Sequence, residues 1–257
     1  MATTWKCSRC SGAYSRRRLY RALGESINMK HTGWTGRIDY LHDDGRERGR
    51  EWFNVTKHDE GYRVIRAHCE MDDTEILRDV THTMTHEFKP VETYVRLEVK
   101  GQHRGSGWFN FEGEDATCHS WMTEHGHVTQ KIKVPGGVKS FGPHPVLCDC
   151  FHTSMYDHNS SQKIQNFSGI LHSSPEPDGS SGPMMGQWEF GIEFMGEESV
   201  TVPAGTFDTL KYRYHLDNYG WPPEDVWVMP GSRQLVKIRW DVLKTTYVLA
   251  ELNGNPQ

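Results

Sequence analysis

The chain has 257 residues, a hydrophobic fraction of 35%, a charged fraction of 25% and a net charge of −5, the balance of a polar globular protein. Its 34 Asp and Glu against 29 Lys and Arg argue against nucleic acid as a partner, because phosphate contacts need a basic excess. No apolar run approaches the ~20 residues of a membrane-spanning helix.

Residues 1–28 differ from the rest. Cys7-Ser-Arg-Cys10 precedes a basic cluster, Arg16-Arg17-Arg18 and Arg21. The Cys-x-x-Cys pair could be half a zinc site, a redox pair or a chance spacing. Zinc needs four ligands, and Cys148-Asp149-Cys150 has the wrong spacing to complete the set. The segment therefore reads as a loosely attached N-terminal extension, with Met29 as an alternative start and 29–257 as one β domain. The N-terminus shows no apolar stretch of the kind that marks a secretory leader. Together with six cysteines read as reduced thiols, this gives the expectation of a cytoplasmic protein.

From Gly33 onward, strand patterns and turn residues alternate. Strands are predicted around 37–41, 52–56, 62–67 and 76–86, then in Thr93–Val99, where Val95, Leu97 and Val99 alternate with charge. In 76–86, β-branched residues favour a strand whose one face carries Ile76, Arg78, Val80, His82, Met84 and His86. An Arg and two His among core-type neighbours suggest a pocket wall. The spacing His82-x-x-x-His86 suits metal binding only on a helix, since four residues of strand span roughly 13 Å. No metal and no cofactor are expected.

A strand at 107–111 begins just before Trp108. His119, His125 and His127 flank the Gly126 turn and read as exposed, and 128–134 is another strand. Pro145 to about Asn159 is the one segment with helical spacing. There Asp149 and His152 stand three apart on one face, and Tyr156, Asp157 and His158 form a set able to move protons. Ser173–Gly182 is a loop by composition. Strands follow at 188–194, 207–214, 226–229, 236–240 and 245–252.

The run Gly196-Glu-Glu-Ser-Val-Thr-Val-Pro-Ala-Gly-Thr-Phe-Asp-Thr209 resembles a hairpin of uncharacterised bacterial β-rich proteins with a lipoprotein-carrier-like fold. The resemblance covers about the last third of the chain. It implies a curved antiparallel sheet around an apolar hollow plugged by a helix, and it hands over no catalytic residue.

The fold expected is thus mainly β: one large curved antiparallel sheet, a half-barrel or barrel, with one short helix plugging an apolar hollow. The function expected is a cofactor-independent enzyme doing dehydration, isomerisation or lyase cleavage on a small, largely apolar compound. The alternative is a non-catalytic binder or carrier of a hydrophobic ligand. The candidate catalytic residues are Asp79, His82 as base and Arg78 as oxyanion partner, then Tyr156, Asp157 and His158. Val80, Met84, Phe151 and Trp108 are the candidate substrate contacts. No Gly-x-Ser-x-Gly elbow, phosphate loop or dinucleotide fingerprint is present.

Overall fold

Burial with a period of two runs through most of the chain and assembles it into one sheet. The structure, a computed structural model, describes residues 30–256. The expected extension 1–28, with Cys7 and Cys10, and the alternative start Met29 lie outside the described residues. From His31 the chain forms one compact unit.

Eight strands come first: β1 (His31–His42), β2 (Glu47–His58), β3 (Tyr62–Met71), β4 (Ile76–Thr85), β5 (Pro90–Val99), β6 (Gln102–Glu112), β7 (Asp115–Met122) and β8 (Gly126–Lys133). They form an antiparallel meander. A short β9 (Ser140–Gly142) leads into α1 (Val146–Asp149), which tightens into a 3-10 segment at Cys150–Met155. The second run is β10 (Ile164–His172), β11 (Gly186–Val202), β12 (Gly205–His215), β13 (Glu224–Val228), β14 (Leu235–Trp240) and β15 (Thr245–Gly254). β1 pairs with β15, so the two runs join at the middle of one curved sheet whose edges are β8 and β9. The edges do not pair, and the sheet is not closed into a barrel. The β9–β10 pair alone is parallel.

The Gly196–Thr209 run makes the β11–β12 hairpin expected of it. Val202 pairs with Gly205 across a two-residue Pro203-Ala204 turn, and Gly205 takes a φ of +141° that a side chain would oppose. Val202 is buried, with Val200 and Phe207 packed against the same core.

The helical segment fills the interior. Val146, Leu147, Cys148, Cys150 and Phe151 are buried among residues of both runs, and Phe151 stacks on Phe88 at 5.4 Å. The first amides of so short a helix have no partners within it. A buried carboxylate from β2 supplies them: Glu51 accepts from the Val146 amide at 2.8 Å and the Leu147 amide at 3.4 Å. Tyr40 donates its hydroxyl to the same carboxylate at 2.9 Å. Burial still pushes Glu51 up to about 7, against these hydrogen bonds.

Candidate functional site

β4 keeps the register expected from its sequence. Ile76, Arg78, Val80, His82 and Met84 point inward, and Leu77, Asp79, Thr81 and Thr83 point outward. The inward residues do not face open space. Arg78 is fully buried and pins the loop Ser173–Pro183: its Nη1 donates to the Gly179 carbonyl at 2.5 Å and its Nη2 to Ser173 Oγ at 2.8 Å. His82 Nδ1 lies 2.7 Å from Thr93 Oγ1, with Phe141 6.0 Å away, ring to ring, and burial lowers its pKa to about 4. Val80 and Met84 are ordinary core.

Several expected site residues lie elsewhere. Asp79 is on the outer face, paired with His68 and Arg96, because strand side chains alternate and its neighbours Arg78 and Val80 take the interior. Trp108 is on that outer face too, so it cannot line an interior hollow. Asp157 and His158 are exposed beyond the 3-10 segment. There the Tyr156 hydroxyl donates to the Lys163 carbonyl, and His158 Nε2 sits 2.9 Å from the Tyr212 hydroxyl. Phe151 packs in the core. His86 bonds the His58 carbonyl, apart from His82. None of the six expected catalytic residues lines either of the two small interior cavities.

What the interior does hold is a pair of small, partly open cavities, each about 40 Å³, which share His144, Asp149, Pro177, Glu224 and Trp240 in their walls. Each has room for a few waters and not for a lipid chain. Asp149 comes from α1, placed by Tyr214, whose hydroxyl donates to the Asp149 carbonyl at 2.7 Å. Glu224 opens β13. Among the described residues neither carboxyl group has a hydrogen-bond partner, and Trp240 Nε1 is buried without one. Burial raises Asp149 well above the carboxylate range, and the Glu224 and Glu51 charges add to it. Burial, with the Asp225 charge, pushes Glu224 up to about 8.

Three imidazoles complete the walls. His152 Nδ1 lies 2.6 Å from Ser140 Oγ, and burial lowers it to about 3. His172 bonds the Ser174 carbonyl; a Cβ on Gly186 would come within 2.3 Å of its ring, so only glycine leaves it room. His144 takes a φ of +80°, a strained backbone for a non-glycine residue, and strain of this kind clusters at functional sites. The roof is the Ser173–Pro183 loop, with Pro177 in both walls. Asp149 and His152 were legible in sequence as one helical face. Glu224, Trp240 and His144 carry no local signal, because they meet only across the fold.

The class that this architecture defines is an open, barrel-like antiparallel sheet plugged by a short helix. The comparisons agree at the level of fold. The chain is similar to a β-barrel-like protein of a domain of unknown function, DUF1849, from Brucella abortus, at TM-score 0.51 and 11% identity over 88% of this chain and 99% of that one. It also matches a protein provisionally described as a lipoprotein from Parabacteroides distasonis, at TM-score 0.33 and 14% identity over 86% and 95%. A third, provisionally described as an exported protein with a YmcC-like fold, from Bacteroides fragilis, matches at 0.31 and 13% over 86% and 96%. The resemblance first carried by the Gly196–Thr209 hairpin thus holds as a likeness of fold. No family model matches the chain. No curated protein matches it either.

The cytoplasmic expectation is corrected here. It rested on a missing leader pattern and on unpaired cysteines, whereas two of these neighbours are described as a lipoprotein and an exported protein. Cys69, Cys118, Cys148 and Cys150 are buried free thiols, inert enough by burial to say nothing of compartment. No described helix is long and apolar enough to cross a membrane.

Proposed function

We propose that the protein is a cofactor-independent enzyme that moves protons on a small, largely apolar compound, with Glu224 and Asp149 as the acid/base pair. The observation that carries this reading is the pair itself: a buried Glu224 and a half-buried Asp149, neither carboxyl group with a protein partner, in the walls they share with an unpartnered Trp240 Nε1. Burying such groups unpaired costs stability, and folds retain that cost where it serves chemistry. A general acid/base works best with a pKa near the working pH, and Glu224, at about 8, meets that condition better than the neutral imidazoles around it. Trp240 Nε1 is placed to donate to a substrate oxygen. Ile170, Leu171 and Trp188 supply apolar walls. Substrate enters when the Pro177 loop lifts and takes the space that Pro177 now closes.

The test has two parts. Difference infrared spectroscopy of wild type against Glu224→Gln at pH 6 should show a protonated carboxyl band lost in the variant. Incubation with a panel of small hydroxy and carbonyl compounds in deuterium oxide should give exchange or turnover that falls at least ~100-fold in Glu224→Gln and Asp149→Asn. An ionised Glu224 at pH 6 overturns the proposal.

A further inference from the structure

The outer face of β2–β7 is the opposite of a blank solvent face. Strand pairing lays two side-chain rows across it. One runs Trp52, His68, Asp79, Arg96, Ser106, Trp121, and the other Asn54, Arg66, Thr81, Tyr94, Trp108, His119. Rings gather at both ends. Trp52 and His68 stack at 5.9 Å and 25°, Tyr94 and Trp108 at 6.4 Å and 27°, and Trp108 and His119 at 5.9 Å and 15°. Between the two ring platforms runs an open groove of about 800 Å³, mostly apolar in its lining, with Arg66, His68, Asp79, Thr81 and Arg96 across its middle. Trp52 and Tyr94 remain 39% and 51% exposed, so both rings are open to a ligand.

The charges choose the occupant. Asp79 is held by His68 at 2.7 Å and by Arg96 at 3.4 Å, and Arg96 also pairs with Glu98. Arg50, beside Trp52, is paired with Glu47, Glu70 and Asp72. Arg66 is the one groove arginine whose contacts, to Asn54 and Thr56, are with neutral groups. With Arg66 the single unpaired cation among them, the floor lacks the run of free positive charges that a polyphosphate or an anionic lipid surface needs. A protein partner would bury an apolar centre inside a polar rim, whereas here the ion pairs hold the centre and the rings stand at the flanks.

We infer that this groove binds an uncharged oligosaccharide. Sugar rings present C–H faces that stack on flat aromatic side chains. Their hydroxyls both donate and accept, which suits Asn54, Arg66, Thr81 and Ser106. The strands repeat every ~4.8 Å, close to the length of one pyranose unit, so a glycan lying across them meets the next side chain of a row at each sugar.

Full-length protein should be titrated by calorimetry with cellohexaose, laminarihexaose and maltohexaose, alongside an array of neutral glycans and heparin as the charged control. At least one neutral glycan should bind and quench tryptophan fluorescence. Trp108→Ala and Trp52→Ala, both outside the core, should each weaken it at least ~10-fold with the melting temperature little changed. Glu224→Gln should bind as wild type does, which keeps a failure here separate from a failure of the proposed enzyme. The inference is overturned if no neutral glycan on the array is retained, if binding survives both substitutions, or if heparin alone binds. A dimer that both substitutions dissociate, without glycan binding, also overturns it.

Discussion

Replacing Glu224 by Gln should make the protein more stable, by an amount that grows with pH. In the folded protein the Glu224 carboxyl ionises at about 8, against an ordinary value of 4.5. A carboxyl group with a raised folded pKa favours the folded state most below pH 4.5, and that advantage is lost as pH rises from 4.5 to 8. Each unit of separation is worth ~1.4 kcal/mol, so wild type at pH 7 has lost ~3 kcal/mol of its pH 4.5 stability through this one group. Gln keeps the shape and does not titrate. Removing the Glu224 charge also relieves Asp149, which acts in the same direction. Glu224→Gln should therefore melt ~6–12 °C above wild type at pH 7, with the gap closing towards pH 4.5. Scanning calorimetry at pH 4.5, 6, 7 and 8 reads both magnitude and trend. A gap independent of pH, or a variant less stable at pH 7, would refute the reasoning and show Glu224 to be a partnered carboxylate. If the enzyme reading also holds, the same variant gains stability and loses turnover, the trade expected of a functional group kept at a structural cost.

Glu51→Ala removes the acceptor for two helix amides and the Tyr40 hydroxyl and leaves a void, so a loss of ~2–4 kcal/mol is expected in urea titrations; a shift under ~0.5 would discredit the anchoring role. Arg78→Met should speed amide exchange of residues 173–183 at least ~10-fold while the sheet core keeps its protection; unchanged exchange in the loop would mean Arg78 does not hold it. His82 has a folded pKa of about 4, below its ordinary 6.5, so its contribution is present above pH 6.5 and lost as pH falls towards 4. His82→Gln should accordingly reduce the stability difference between pH 7 and pH 5 by ~2 kcal/mol, and an unaltered difference would count against a buried neutral ring.

Much of the fold was readable because alternation survives wherever one face is buried. β4, β5 and β12 follow that rule, and so does the Pro203-Ala204 hairpin. β7 escaped because three of its four inward residues are small, Ala116, Cys118 and Ser120, with only Met122 large, while His119 and Trp121 face out. The usual reading of large apolar as inside is inverted there. β10 escaped because a register shift between Phe167 and Ile170, beside Gly169 at φ +78°, interrupts its period. The candidate site was less legible for a different reason. Asp149 and His152 share one turn, but Glu224 and Trp240 reach them from strands some 70 to 90 positions along the chain. Local spacing carries no trace of such a meeting.

The two proposed sites are joined by one strand. Arg78 and Asp79 are neighbours on β4, and the pleat sends one inward to the loop over the carboxyl pair and the other outward to the groove floor. The sequence reading placed Arg78 on the inward face of the strand and still counted Asp79 among the same catalytic candidates. On a strand that is the arrangement adjacency forbids. Residues i and i+1 occupy opposite faces, so a titratable pair side by side in a strand marks two environments. The same geometry fixes the cost of error: a one-residue slip of β4 would bury Asp79 and leave the Ser173–Pro183 loop without its arginine, disabling both faces at once. Five core side chains, Ile76, Val80, Met84, Arg78 and His82, oppose that slip together. The strand can therefore carry a demanding polar residue on each side without losing its register.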